Sequence, residues 1–302
     1  MLLNGTPIED TFAEAFRMRY VRLVVTAHDD HWLDAALREV TGYSTSIISC
    51  DAEIGVDRRL SADDTPDGRP GAVLMIFGFS SESLAKVIVN RIGQCVMTCP
   101  TTAVFDGLTS GEARIPLGKQ IRYFGDGFQK SKQIDGRRYW RVPVMDGEFF
   151  VVDRVYVEKG VGGGNLILQA DDLTAALSAA RRAVDAIAAV PGVITPFPGG
   201  VARSGSKVGS RYKGVKASTA DAYCPTLQGR VESKLDERTR YAYEVVIDGI
   251  GEESVAQAMV AGMQAAGGPG VIQIGAGNYG GKLGKFHFHL HKLLETSAAQ
   301  TA

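Results

Sequence analysis

The sequence predicts an α+β chain: two duplicated ferredoxin-like lobes, each with the order βαββαβ, and an antiparallel β meander between them. Three observations carry that expectation. The chain has 302 residues, about twice the usual size of a single domain. Strand-like and helix-like periodicities follow one order in both halves. Ile76, Gly78, Glu82, Ser83 and Ala85 match Ile247, Gly249, Glu253, Ser254 and Ala256 at a constant offset of 171, and Gly42 and Thr45 match Gly192 and Thr195 at 150, the mark of an internal repeat.

In the first half, residues 20–27 (YVRLVVTA) are β-branched and apolar, and 31–40 place Trp32, Ala36 and Val40 on one helical face. A Thr/Ser/Ile run follows Gly42. Residues 72–79 read as a strand, 82–94 as a helix with Leu84, Val87, Ile88 and Ile92 at helical spacing, and 94–103 as an extended stretch closing the unit. In the second half, 165–170 is a strand and 172–190 a helix with Leu173, Leu177, Ala180, Val184 and Ile187 as its apolar stripe, ended by Pro191-Gly192. Strand 242–247, helix 253–266 and strand 271–274 complete the repeat. Between the halves, residues 115–157 alternate polar and apolar residues, with turn signals at Gly125-Asp126-Gly127, Asp135-Gly136 and Asp146-Gly147. The expected lobes are 1–147 and 148–302, the second carrying most of the site.

Composition excludes several classes. With 45% apolar and 22% charged residues the chain can bury a core and is not disordered. Its 33 basic and 34 acidic residues leave a net charge of −1, so no global attraction to nucleic acid or an anionic membrane is expected. An anionic ligand must be drawn locally. Four scattered cysteines, Cys50, Cys95, Cys99 and Cys224, form no disulfide framework, and Glu9 and Asp10 interrupt what a signal peptide needs. A cytoplasmic protein is expected.

Ten of the 36 glycines lie in two short segments. The first, residues 191–209 (PGVITPFPGGVARSGSKVG), is too rich in Gly, Pro and Ser for a regular element. Ser206-Lys207 reverses the order a P-loop requires, but exposed backbone N–H groups can still form an anion or oxyanion nest, helped by Ser204, Ser206 and Lys207. The alternative is a tight connection. Arg203, Lys207, Arg211, Lys213 and Lys216 lie within residues 187–220, which contain no Asp or Glu, and favour an acidic small molecule. The second segment, residues 275–285 (GAGNYGGKLGK), fails both as a P-loop and as a dinucleotide fingerprint, since a strand-like 286–290 follows it; it reads as a loop that lets a ligand approach the backbone.

His287, His289 and His291 alternate and would share one strand face, but no Cys, Asp or Glu lies nearby to complete a metal centre, so no metal is expected. No HExxH, GxSxG or cysteine-nucleophile signature is present. Glu244 stands in the otherwise apolar Tyr241-Ala242-Tyr243-Glu244-Val245-Val246-Ile247, where its counterpart in the first half is Val73. It is either an outward-facing strand residue or a partly desolvated carboxylate whose raised pKa suits proton transfer.

These segments resemble a known family. Thr195-Pro-Phe-Pro-Gly-Gly200, Ser204-Gly-Ser-Lys-Val-Gly209, Lys216-Ala-Ser-Thr219 and Gly277-Asn-Tyr-Gly-Gly-Lys-Leu-Gly-Lys285 are similar to formylmethanofuran:tetrahydromethanopterin formyltransferases. So are Ile8-Glu-Asp-Thr-Phe-Ala-Glu-Ala-Phe16, Thr65-Pro-Asp-Gly-Arg-Pro-Gly71, Arg91-Ile-Gly-Gln-Cys-Val96 and Pro100-Thr-Thr-Ala103. The resemblance implies a homotetramer that moves a formyl group between tetrahydromethanopterin and methanofuran, or an analogue of it, without a prosthetic group or metal, in one-carbon metabolism. The near-neutral charge is similar to the branch in methylotrophic bacteria, which implies formaldehyde oxidation to formate and association with formylmethanofuran hydrolase subunits. Arg203 stands where the family more often has a small residue.

By that resemblance Glu244 is the proton-transfer residue, with Ser206 beside it as catalytic. Phe197, Pro198, Gly199, Gly200, Ser204, Gly205, Lys207, Lys216, Ser218, Asn278, Tyr279 and Lys282 are the expected carrier-binding residues, together with Gln94, Thr101 and Thr102 from the first half. The rival expectation is a non-catalytic scaffold that binds a carrier and presents it to a hydrolase; a ligand-sensing regulatory domain comes third.

Overall fold

The computed structural model describes residues 1–301 and has a mixed α/β architecture. Its chain packs as two compact units, a mid-chain unit of Met18–Gly160 and a terminal unit that joins Met1–Arg17 to Val161 and the residues after it. The chain passes between these units twice, each time inside a long strand.

Strand β1 (Phe12–Thr26) contributes its second part to the mid-chain unit, followed by α1 (Asp30–Thr41), β2 (Glu53–Leu60), β3 (Gly71–Gly78), α2 (Ser81–Arg91) and β4 (Ala103–Asp106). The strands lie in the order β2-β3-β1-β4, all antiparallel. Val21, Leu23 and Val25 alternate along β1 onto one face, where they join a single core with Leu33, Leu37 and Val40 of α1 and Leu84, Val87 and Ile88 of α2. The expected extended stretch over 94–103 is instead a π-helical turn, Ile92–Val96, followed by a loop; only Ala103–Asp106 is extended. Apolar composition alone cannot separate a short buried helix from a strand.

After β5 (Ala113–Pro116), the expected meander is present as β6 (Lys130–Ile134), β7 (Arg137–Val144) and β8 (Gly147–Val152), joined antiparallel through turns at Asp135-Gly136 and Met145-Asp146. Phe150 and Val151 pair in parallel with Ala103 and Val104, so the meander extends the mid-chain sheet.

In the terminal unit β9 (Arg154–Ala170) leads to α3 (Leu173–Ala188), β10 (Val193–Ile194), β11 (Tyr241–Gly249), α4 (Glu252–Ala266) and β12 (Val271–Gly275). The order is β10-β11-β9-β12, again antiparallel. β13 (Phe286–His289) pairs with Phe12–Ala15 at the start of β1 and passes directly into α5 (Leu290–Thr301). His291 is therefore helical and does not share a strand face with His287 and His289; its ring nitrogen lies 2.8 Å from the Ile8 carbonyl.

The stripe expected on α3 is rotated. Ala176, Ala179, Ala180, Ala183 and Ile187 face the core, while Leu173 and Leu177 are 42% and 48% exposed. Close helix packing selects the small side chains: a Cβ at Gly262 of α4 would lie 2.9 Å from both Ile187 Cδ1 and Leu166 Cδ1.

Candidate active site

Along β11 the side chains of Val245 and Ile247 enter the apolar core, so Glu244 points from the other face of the strand. Opposite it runs the long connection between β10 and β11. That connection returns to the strand at Ala202, whose N–H donates to the Glu244 carbonyl (2.8 Å) and whose carbonyl accepts from the Glu244 N–H (3.1 Å). Next comes Gly205, where a Cβ would stand 2.7 Å from Glu244 Oε2. A glycine is needed there for the carboxylate to sit where it does.

Glu244, Gly205, Arg203, Thr219, Tyr223 and Ile167 line a cavity of about 40 Å³. A water needs ~10–15 Å³ of such space, so the cavity has room for small groups such as a water or a formyl group. Burial pushes the Glu244 carboxyl up from its ordinary 4.5 to about 7. No opposing ion pair contributes, and a carboxyl titrating there can both take and give a proton near neutrality.

The two glycine-rich segments converge. The first forms a tight turn over Pro198–Gly200, then a hairpin in which Ser206, Lys207 and Val208 pair with Thr219, Ser218 and Ala217. From the second, the Tyr279 hydroxyl donates to the Ser206 carbonyl at 3.4 Å. Tyr223, from the short helical turn after the hairpin, donates its hydroxyl to the Ala276 carbonyl at 3.2 Å. Burial raises the phenols of both Tyr223 and Tyr279, and the Glu244 charge adds to each shift.

Several residues expected to meet ligand make contacts within the chain. Gly200 has φ +77 and would place a Cβ 2.6 Å from Val184, while its N–H donates to the Phe197 carbonyl, so it shapes the turn and offers no free donor. Gly199, with φ +62, has open space around it, as the half-buried Phe197 and the exposed Pro198 flank the turn. Lys207 forms an ion pair with Asp221, one residue beyond the acid-free stretch. The Ser218 hydroxyl donates to the Gly209 carbonyl (2.8 Å). Asn278 uses its amide on Thr11, Phe12 and Gly280. Ser204, Ser206, Lys216 and Lys282 remain exposed, and among the described residues none of their side chains is bonded.

Gln94, Thr101 and Thr102 belong to the mid-chain unit. Gln94 is exposed on the π-helical turn. Thr102 is buried, its hydroxyl donating to the Val96 carbonyl (2.6 Å), which makes it a structural cap. Thr101 has φ +66, rare for a β-branched residue, and is held by Asp146, which accepts its N–H at 2.7 Å, and by Arg69, which donates to its carbonyl.

The second glycine segment also holds a surprise. The Glu14 carboxylate, buried, accepts four backbone N–H groups: Tyr279 (2.7 Å) and Gly281 (2.8 Å) on Oε2, Leu283 (2.6 Å) and Gly284 (2.5 Å) on Oε1. The backbone donors read as open to a ligand are filled by the chain's own anion. Sequence reasoning missed Glu14 and Tyr223. Alternation along residues 12–16 singles out Glu14 as polar among alanines, but nothing local names partners so distant in the chain. Among the described residues no three His, Cys, Asp or Glu side chains come together as metal ligands, and no helix is long and apolar enough to cross a membrane.

Comparison with known proteins covers almost the whole chain. The family model "Formylmethanofuran-tetrahydromethanopterin formyltransferase" matches residues 1–144, and that of the proximal lobe matches 147–293. The formylmethanofuran–tetrahydromethanopterin formyltransferase of Methylococcus capsulatus is 50% identical over 97% of this chain and 100% of its own. A subunit of the formyltransferase/hydrolase complex of Methylorubrum extorquens is 48% identical, with 98% of each chain covered. Among solved structures, the formyltransferase of Methanosarcina barkeri superposes with a TM-score of 0.92 at 45% identity, over 97% of this chain and 100% of that one. A chain of the M. extorquens formyltransferase/hydrolase complex, solved with methylofuran, gives 0.94 at 48%, over 97% and 98%. With the fold, the cavity glutamate and both glycine segments inside these matches, this chain is a member of the formylmethanofuran-tetrahydromethanopterin formyltransferase family.

Proposed function

We propose that the chain is an N-formyltransferase that moves a formyl group between tetrahydromethanopterin and methanofuran, or an analogue of it, by direct acyl transfer. The observation that carries this reading is Glu244, a carboxyl brought by burial to about 7 in a cavity of formyl size. The acceptor amine attacks the formamide carbon, the carbonyl oxygen becomes an oxyanion, and the tetrahedral intermediate collapses by expelling the other nitrogen. The attacking nitrogen must lose a proton and the leaving nitrogen must gain one. One group of pKa near 7 can serve both, without an acyl-enzyme.

We assign that shuttle to Glu244. Oxyanion and carrier contacts fall to the exposed part of the 197–207 loop, where Gly199, Ser204, Gly205 and Ser206 carry groups not already spent, with Lys216, Tyr279 and Lys282 as further carrier contacts. Phe197 and Pro198 offer an apolar rim. Gly200, Ser218 and Asn278 act by shaping these loops. Gln94 and Thr101, in the mid-chain unit, are kept as carrier contacts, and Thr102 as support for their turn. Incubating the purified chain with both carriers and following formyl transfer spectroscopically tests the reading. Turnover supports it; binding of formyl-tetrahydromethanopterin without transfer favours a carrier-presenting scaffold instead.

We also infer that the two units are copies of one ferredoxin-like βαββαβ design. Their strand orders correspond, and matched residues share tasks. Ser83 accepts from the N–H of Ser80, and Ser254 from that of Gly251, at the starts of α2 and α4. A Cβ at Gly78 or Gly249 would press on the same helix turns. The hydrolase-complex relative supports association with hydrolase subunits; a cytoplasmic location, transfer toward the furan carrier and, for the free enzyme, a homotetramer are what the family resemblance implies.

A further inference from the structure

We infer that Glu14 is a positioning residue for this transfer: its carboxylate clamps the 279–284 loop and thereby holds Tyr279 against the Ser206 hairpin beside Glu244. The inference rests on the formyltransferase reading but draws on different atoms.

The clamp is built from both sides. Strand alternation buries Ala13 and Ala15 in the terminal-unit core and turns Glu14 to the opposite face. Gly280 and Gly281, with φ +72 and +73, curl the loop so that the N–H groups of Tyr279, Gly281, Leu283 and Gly284 point inward. At Gly284 a Cβ would stand 2.5 Å from the Ala15 carbonyl, so glycine permits the contact. Burial disfavours the Glu14 charge, yet the four N–H donors outweigh it and hold the carboxyl below its ordinary range. The side chain is therefore an anion near neutral pH, and charge-assisted bonds are roughly twice as strong as neutral ones. Neutral Gln would offer one acceptor oxygen and an NH₂ group facing donors, so half of the clamp would be lost.

The mechanical output is Tyr279. Its N–H is one of the four donors, while its hydroxyl reaches the Ser206 carbonyl, so one residue ties the clamp to the hairpin that carries Gly205 and Ser206. The titratable or charged groups around the Glu244 carboxylate are Tyr223 and Tyr279, with Arg203, Cys224 and Tyr243 on the cavity wall. Of these, Tyr279 is the one whose placement depends on Glu14. Tyr279 does not itself line the cavity, but its hydroxyl holds the Ser206–Thr219 pair whose neighbours Gly205 and Thr219 do; loosening it opens that wall and admits water to Glu244.

The test compares E14Q and Y279F with the unaltered full chain. In E14Q, amide hydrogen exchange at Tyr279, Gly281, Leu283 and Gly284 should rise at least about tenfold, with the β11 amides unchanged. Its kcat/KM for formyl transfer should fall at least tenfold, and the acid limb of the pH–rate profile should move downward as Glu244 is rehydrated. Y279F, which keeps the clamp, should leave the loop amides protected and move the limb the same way by less. Protected amides in E14Q overturn the clamp, and exposed amides with an unmoved acid limb reduce Glu14 to a structural residue and overturn its positioning role. If E14Q does not fold, an unmoved limb in Y279F overturns the inference by itself. No transfer by the unaltered chain overturns the functional reading instead, since exchange is read without substrate.

Discussion

Glu244 Oε2 lies 2.7 Å from the point where a side chain at Gly205 would begin. A methyl group there must displace the carboxylate, and a shift of about 1 Å in a reacting group can cost 100-fold in rate. Gly205→Ala is expected to lower kcat by roughly that factor with little change in melting temperature, measured by steady-state transfer and thermal denaturation of one preparation. Wild-type turnover would show that the carboxylate has no fixed place in the reaction.

Glu244→Gln keeps the shape of the side chain and removes its proton chemistry. General acid–base groups contribute about two to four orders of magnitude, so kcat should fall by that much while carrier binding persists. A carrier-dependent assay with a binding measurement separates the two.

The same carboxyl sets a pH signature. Its native pKa of about 7 lies above the ordinary 4.5, so the folded state holds this proton more tightly than the unfolded chain. That contribution to stability is complete below 4.5 and is lost as pH rises through 7. Glu244→Gln does not titrate, so its melting temperature relative to wild type should climb between pH 5 and pH 8. A constant difference would mean that the carboxyl is not desolvated.

The Lys207–Asp221 ion pair is partly exposed, and such pairs contribute less than about 1 kcal/mol. Asp221→Asn should scarcely alter stability but free the Lys207 ammonium, lowering the KM of an acidic carrier at low ionic strength, with the gain fading in high salt. A KM independent of both would remove Lys207 from the carrier site.

Packing of the terminal unit makes opposite predictions for two small changes. Leu177→Ala, on the exposed side of α3, should cost no more than about 0.5 kcal/mol. Gly262→Ala forces a methyl toward Ile187 and Leu166 and should cost about 1–3 kcal/mol. Denaturant unfolding measures both.

How far the sequence could be read depends on the range of the interactions involved. Strands, helices and hairpin turns are short-range, so β3, α2, α4 and the meander are legible from periodicity, as is Glu244 from one carboxylate in an apolar run. The α3 face is not, because Leu173 and Leu177 outweigh alanines in any hydropathy stripe, while close contact with Gly262 selects the alanines. Asp221 lies one residue past the basic stretch, so its neutralisation of Lys207 follows from the hairpin and not from composition. Glu14 and its four donors are separated by most of the chain, and no local pattern encodes such a pairing.

The two strands that pass between units have a consequence for anyone wishing to dissect this protein. A fragment beginning near residue 147 takes with it the whole Glu244 cavity, yet leaves Met1–Arg17 behind. Phe286–His289 would then lack its partner strand, and four inward-facing amides would lose their shared acceptor. Neither half can be expressed as an independent module by a single cut, and domain-swapped chimeras with relatives need two junctions, one inside each long strand.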